Sequence, residues 1–425
     1  MTPAARGVAY ALDRASGMWV APGRESLPAF RAAPDEPTGP AAPPPGSRAY
    51  REALVWGTFD PRDPVNTGPL LQVPDPDNVG QWKPRGTHYT QLEAGPDGYV
   101  VIDGDNTYLD GYEIWGSIKP FANNIKFGDV KIHGADPLIP TAGSQWGCFK
   151  CYDTSARHFE IFDYLIDPMA WVTERGRPHV FGAMYGFHGF DYTAKRGEIR
   201  NVTDGSNWLV GGGKDPYAMH MEEFRTWTHR GVYRNALVDP KTGQLVSGDA
   251  RAHCDSKQIN HGKNGLVHEC YTGGHRDMTG YQAWGLADQP TTDPTKGRNT
   301  GDDFWNTGLV QIGNEGRKYS DTGVDLDPTA RLLIENWKFL HNIVEGGTFG
   351  VNLARKSTYP NNYPTLEIAY NEFVPREPGW RRSANRDGGL DSGDGGYIIA
   401  PDEYLHVFHD NVFRGTTNPV PITRG

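Results

Sequence analysis

The chain has four cysteines in 425 residues, too few for a dense disulfide framework. It also lacks a basic excess: 42 Lys and Arg stand against 52 Asp and Glu, a formal net charge of -10. Nucleic acid and anionic membranes call for a cationic face, so neither is an expected partner. No apolar run approaches the roughly eighteen residues that span a bilayer, which argues against membrane insertion. The opening residues, Met1-Thr-Pro-Ala-Ala-Arg-Gly-Val8, contain no apolar stretch followed by a small-residue cleavage site. Synthesis in the cytosol, without a signal peptide for the general secretory route, is therefore expected. Gly211-Gly-Gly213-Lys214 lacks the spacing of a phosphate loop, and no cofactor is expected.

Glycine and proline are plentiful. Gly 53 and Pro 33 make up about a fifth of the chain, against roughly 12 % in average usage. Aromatic residues reach 12 %, hydrophobic residues only 37 % and charged residues an ordinary 22 %. This composition predicts a turn-rich, aromatic-rich β protein, not a helical bundle or a nucleotide-binding α/β enzyme.

Four regions follow from texture along the chain. Residues 1–50 read as an extended N-terminal arm, because Pro34-Asp-Glu-Pro-Thr-Gly-Pro-Ala-Ala-Pro-Pro-Pro45 can hold neither a helix nor a central strand. Residues 51–94 read as a lead-in or cap region, where Pro and Asp punctuate short apolar pieces. From 95 to 375, three-to-five-residue β pieces recur, each closed by Gly, Asp or Asn. Examples are Arg196-Gly-Glu-Ile-Arg-Asn-Val202, Arg331-Leu-Leu-Ile-Glu-Asn-Trp337 and Leu366-Glu-Ile-Ala-Tyr-Asn-Glu-Phe373. Asn and Gly tolerate the left-handed backbone angles of a sharp corner. Strands that cannot bury a face alone stack on their neighbours. The expected fold is all-β, a right-handed parallel β-helix with about 20–25 residues per coil and Asn and Cys at the bends. Residues 376–425 read as a small C-terminal cap.

The segments Val101-Ile-Asp-Gly-Asp-Asn-Thr-Tyr-Leu-Asp-Gly-Tyr-Glu-Ile-Trp-Gly-Ser-Ile118 and Asn124-Ile-Lys-Phe-Gly-Asp-Val-Lys-Ile-His133 resemble the opening of pectate-lyase-like β-helix proteins. More narrowly, they are similar to β-helical minor tail proteins of phages infecting actinobacteria. The segment Ala252-His-Cys-Asp-Ser-Lys-Gln-Ile-Asn-His-Gly-Lys-Asn-Gly-Leu-Val-His-Glu-Cys270 resembles one of their coils. The resemblance spans about residues 95–415. It implies a structural subunit of a virion tail, with other tail proteins and host cell-surface polysaccharide as partners and a homotrimer as the assembly.

The chemistry-bearing residues of the sequence fall into three groups. His253, Asp255, Gln258, His261, Glu269, His275 and Asp277 form a patch that could bind or protonate a sugar. Within it Asp255, His253, His275 and Asp277 are the candidate catalytic set of a polysaccharide depolymerase, the rival reading. Short polar residues also satisfy backbone donors in tight bends, which would explain them without catalysis. The Asn-x-Asp, Asp-Asp and Arg-x-Lys set of a β-helical polygalacturonase is incomplete: Asp302-Asp303 is present, in a polar insertion without its companions. Gln258 and His261, with Trp284 and Trp305 on a long polar loop, are the carbohydrate-binding candidates, indole faces being suited to sugar rings, although both Trp would equally serve to cover the helix flank or a subunit contact. Cys148-Phe-Lys-Cys151 has zinc-knuckle or redox spacing, but buried thiols in a β stack are the preferred reading over zinc or a disulfide, so no metal is assigned.

Overall fold

A computed structural model describes residues 11–13, 18–20, 42–136, 139, 146–150, 158–177, 184–189, 191–202, 204–208, 220–228, 255–259, 262–273, 308–312, 334–345, 349–353, 365–375 and 397–424. The chain divides into two compact units, Met1–Ala42 and Pro43–Gly425. In the first, strands Ala11–Asp13 and Met18–Val20 pair antiparallel. The second is all-β, with three ladders of parallel strands.

The first ladder begins at Tyr108–Asp110 and ends at Phe408–His409, and the second begins at Thr90–Glu93 and ends at Val412–Phe413. The third holds ten strands, from Tyr99–Ile102 to Ile422–Arg424. The chain visits the ladders in a fixed order. Tyr192–Lys195 lies in the first, Glu198–Ile199 in the second and Asp204–Trp208 in the third, and Met221–Phe224 then returns to the first. The long strands Ile125–Ile132 and Phe159–Ile166 serve the first ladder with one half and the second with the other.

A corner between the first and second ladders makes this division possible. Asp129, Asp163, Arg196, Arg225, Glu269, His341, Tyr370 and Asp410 occupy it in turn, with φ between 49° and 59°. For a non-glycine residue this left-handed conformation costs about 1–2 kcal/mol, so tertiary contacts must hold each one. The following residue turns into the core. There Asn342, Asn371 and Asn411 stack as an amide column. Asn342 Oδ1 accepts from the Cys270 backbone N–H at 2.9 Å, Asn371 Oδ1 from that of Asn342 at 2.8 Å, and Asn411 Oδ1 from that of Asn371 at 3.1 Å. Each Nδ2 donates to a carbonyl of the preceding strand, Val267, Phe339 or Ile368. Earlier in the same column Gly197 faces the Tyr164 ring, and a Cβ there would come within 2.0 Å of ring carbon.

The three ladders share one hydrophobic core. Aromatic rings stack along it, Phe149 on Phe159 at 5.0 Å and Phe187 on Tyr192 at 4.6 Å. A fully buried ion pair crosses the core from Lys257 of the third ladder to Glu223 of the first. The Tyr192 hydroxyl donates to the same carboxylate at 2.9 Å, as does Ser206, so the buried charge is satisfied on several sides.

Residues 43–89 strap across the corner. Ser47 caps the helix Arg48–Ala53, donating nothing to it but accepting from the Tyr50 N–H. Arg51, fully buried, donates to the carbonyls of Pro64, Val65, Thr67, Gly68 and Pro69 and to Asp163 at 3.2 Å. Asp163 also accepts from Arg48 and Arg196, each at 2.9 Å. Burial disfavours the Asp163 charge, yet the guanidinium of Arg196 and those of Arg51 and Arg48 hold its carboxyl below the usual range. Asp129 accepts from Leu70 N–H, Arg85 and Tyr89.

The structure adjusts three expectations. Helix Arg48–Ala53 starts inside the stretch read as an arm, because Ser47 supplies an N-cap. Parallel pairing runs past both expected limits of 95 and 375, from Thr90 to Arg424. The spacing between register partners is not 20–25 residues but ranges from 18 (Tyr108 to Lys126) to 72 (Gly265 to Trp337), because long connections leave and rejoin the ladders.

Two substitutions test this description. Asn371→Ala removes both an acceptor and a donor from the amide column and should cost about 1–3 kcal/mol in denaturant unfolding. Arg51→Met leaves Asp163 short of a partner and five carbonyls unsatisfied, with an expected loss of about 3–5 kcal/mol. Limited proteolysis should then cut first within residues 43–89; unchanged resistance would contradict the clamp.

Candidate functional site

Alternation along the first ladder decides which side chains reach solvent. Ile161, Ala194, Glu223, Val267, Phe339 and Ile368 share one register position and face the core. Their neighbours therefore stand on the outer face. One outer column runs Lys126, Glu160, Thr193, Glu222, Leu266, Lys338 and Glu367. The next holds Phe162, Lys195, Phe224 and His268.

Carboxylates and imidazoles concentrate on this face. Glu222 is the centre: His268 Nε2 lies 3.1 Å from Oε1 and His220 Nε2 lies 3.8 Å from Oε2. The two imidazoles, His220 foremost, hold the Glu222 carboxyl well below the usual range despite partial burial. In return the Glu222 carboxylate raises His220 above its ordinary value. The Phe224 ring stacks on His268 at 4.5 Å. One strand earlier, Asp191 loses hydration but is kept low by His158, whose backbone N–H donates to it at 2.9 Å. Elsewhere the pairs are simple: Lys126 with Glu160 at 3.0 Å and Lys338 with Glu367 at 3.2 Å. Half-exposed Tyr370 stacks on His341 at 5.1 Å. A face of this kind offers hydrogen bonds, ring stacking and a charge that responds to protonation.

The residues singled out in the sequence lie elsewhere. Asp255 opens strand Asp255–Ile259 of the third ladder, in register with Gly308. Gln258 sits on the same strand, in register with Asn207 and Gln311, and accepts from Asn207 Nδ2 at 2.7 Å. Its column continues to His188 and Lys150, both buried with Asn207, so that part of the third ladder is not open to solvent. Burial, with the Lys150 charge second, pushes the His188 imidazole down to about 3, keeping it neutral. His253, His261, His275, Asp277, Trp284, Trp305 and Cys151 lie outside the described residues. Cys148 is a free thiol packed in the core, pushed up by burial, and no cluster able to hold a metal occurs among the described residues.

Sequence reading noted His220 in an aromatic-rich stretch but missed Glu222 and His268. The signal was the alternation His220-x-Glu222-x-Phe224, but its meaning needs the register that brings His268 beside Phe224 from 44 residues away. Comparison with known protein families, curated proteins and solved structures finds no match for this chain.

The pairing makes a pH prediction. His220, raised in the folded chain, adds stability that is complete below its unfolded value of 6.5 and is lost as pH rises through the folded value. Glu222→Gln should lower the His220 midpoint in an NMR titration; an unmoved midpoint would show that the pair is not coupled.

Proposed function

We propose that the three ladders wind as a right-handed parallel β-helix and that the chain is a minor tail protein of a phage infecting actinobacteria. In this reading it is a structural subunit of the virion tail that recognises host-surface carbohydrate. Support for the winding comes from the fixed order of first, second and third ladder on successive passes. Parallel strands joined in one sheet by crossovers are right-handed in about 98 % of cases. The resemblance of segments 101–118, 124–133 and 252–270 supplies the viral assignment.

The observation that carries recognition is the outer face of the first ladder. Its imidazoles, carboxylates and aromatic rings stand at rung spacing, about 4.8 Å, close to the advance of an extended sugar chain. Neighbouring tail proteins would hold the chain in the virion, and a closed homotrimer would suit a symmetric tail. The strap of residues 43–89 suits a particle component that must keep its shape under load, because it ties the corner over several passes.

Retention of the purified protein on host cells, and its loss on cells stripped of surface polysaccharide, is the expected result. Glu222→Ala with His268→Ala should weaken retention by about tenfold or more, the equivalent of about 1.4 kcal/mol. Equal retention on stripped cells would refute recognition, and release of reducing ends from the polysaccharide would make the protein a depolymerase instead. Immunogold labelling away from the tail of purified virions would remove the viral reading.

A further inference from the structure

The patch around Glu222 crosses three adjacent strands of the first ladder. Asp191 and Lys195 flank the first of them, His220 and Glu222 the second, and His268 ends the third. With the imidazoles neutral, two carboxylates face one ammonium group. With both protonated, two carboxylates face three cations, and the sign of the patch inverts. The surrounding charges do not cancel this change. Lys126 pairs with Glu160, and Arg225 pairs with Glu269 at 2.7 Å. His158, 3.6 Å from Asp191, adds a further positive charge on protonation.

Accessibility fits a ligand. The side chains of His220, His268 and Glu222 keep 48 %, 24 % and 21 % of their surface open. His268 cannot swing away freely, because the Phe224 ring lies against it. One carboxylate shared by two imidazoles leaves the second imidazolium with spare charge and an N–H to donate. A carboxylate or phosphate on a sugar is the ligand that uses both.

We infer that the His220–Glu222–His268 patch is a proton-gated site for an anionic saccharide. This rests on the proposed carbohydrate recognition and adds its ligand class and its dependence on pH. Above the imidazole range the patch repels such a ligand; below it, the patch attracts it.

The full chain, immobilised, tests the site with polygalacturonate as the anionic probe and dextran as the neutral one. Polygalacturonate binding should rise about tenfold between roughly pH 8 and pH 5.5, while dextran binding stays flat. His220→Gln with His268→Gln should remove most of that rise. His88→Gln with His406→Gln, outside the patch, should keep it and so report the change in overall charge. Circular dichroism confirms that each variant folds. A rise that survives the His220/His268 change, or no rise in the parent chain, overturns the site. Binding to host cells that fails while the gated polygalacturonate response persists would refute the host reading and leave the site standing. Intact host-cell retention without a pH response would do the reverse.

Discussion

The structure depends on one local constraint, a left-handed residue at the same corner on successive passes of the chain. Without it the strands Ile125–Ile132 and Phe159–Ile166 would run straight and could serve one ladder only. Eight non-glycine residues accept that conformation. The strain is distributed, and so is its compensation. At the late corners the amide column of Asn342, Asn371 and Asn411 ties each inward-turning residue to the next strand's backbone. At the early corners the compensation lies outside, where Asp129 and Asp163 meet the strap.

These two solutions explain an otherwise uneven sequence. Where the strap covers the corner, its residues are charged: Asp129, Asp163, Arg196, Arg225 and Glu269. The arginines of the strap and corner supply the counter-charges, and the Asp163 carboxylate sits among three of them. A buried ion network is weak as a source of stability compared with apolar packing, but its geometry is strict. It therefore fixes where the strap lies, since a shift by one residue would strand Arg51 among mismatched carbonyls. Beyond the strap the corner residues become His341, Tyr370 and Asp410, which need no buried partner.

How much of this was legible follows from the range of the interactions. Short strands closed by turn residues are local, and so Glu198–Ile199 and Leu366–Ala369 were visible within the pieces at 196–202 and 366–373. The expected Asn and Cys at the bends are present as Asn342, Asn371, Asn411 and Cys270. Where the strap covers this corner, the left-handed residues broke the expected Asn and Gly rule, because tertiary ion pairs replaced local preference. The clamp was invisible, since Arg51 and Asp163 are 112 residues apart and nothing local marks either one. The Glu222 patch was invisible for the same reason: alternation gives the face of a strand, whereas the partner strand depends on connections of variable length. Choosing residues by their proximity in sequence favoured 253–277, and the ladder instead joined Glu222 to His268.

The inner and outer faces of the first ladder also handle charge in opposite ways. Adjacent residues Glu222 and Glu223 point to different sides. Glu223 lies in the core, locked to Lys257 and three hydroxyl groups. Glu222 lies at the surface among imidazoles that can take up or release protons while the fold stays intact. Because a strand alternates, one residue's step separates a structural charge from a responsive one. The core pair fixes the distance between the first and third ladders, and that rigidity keeps the outer groups at constant spacing. The alternation of a single strand thus provides a surface charge that can change without moving the backbone.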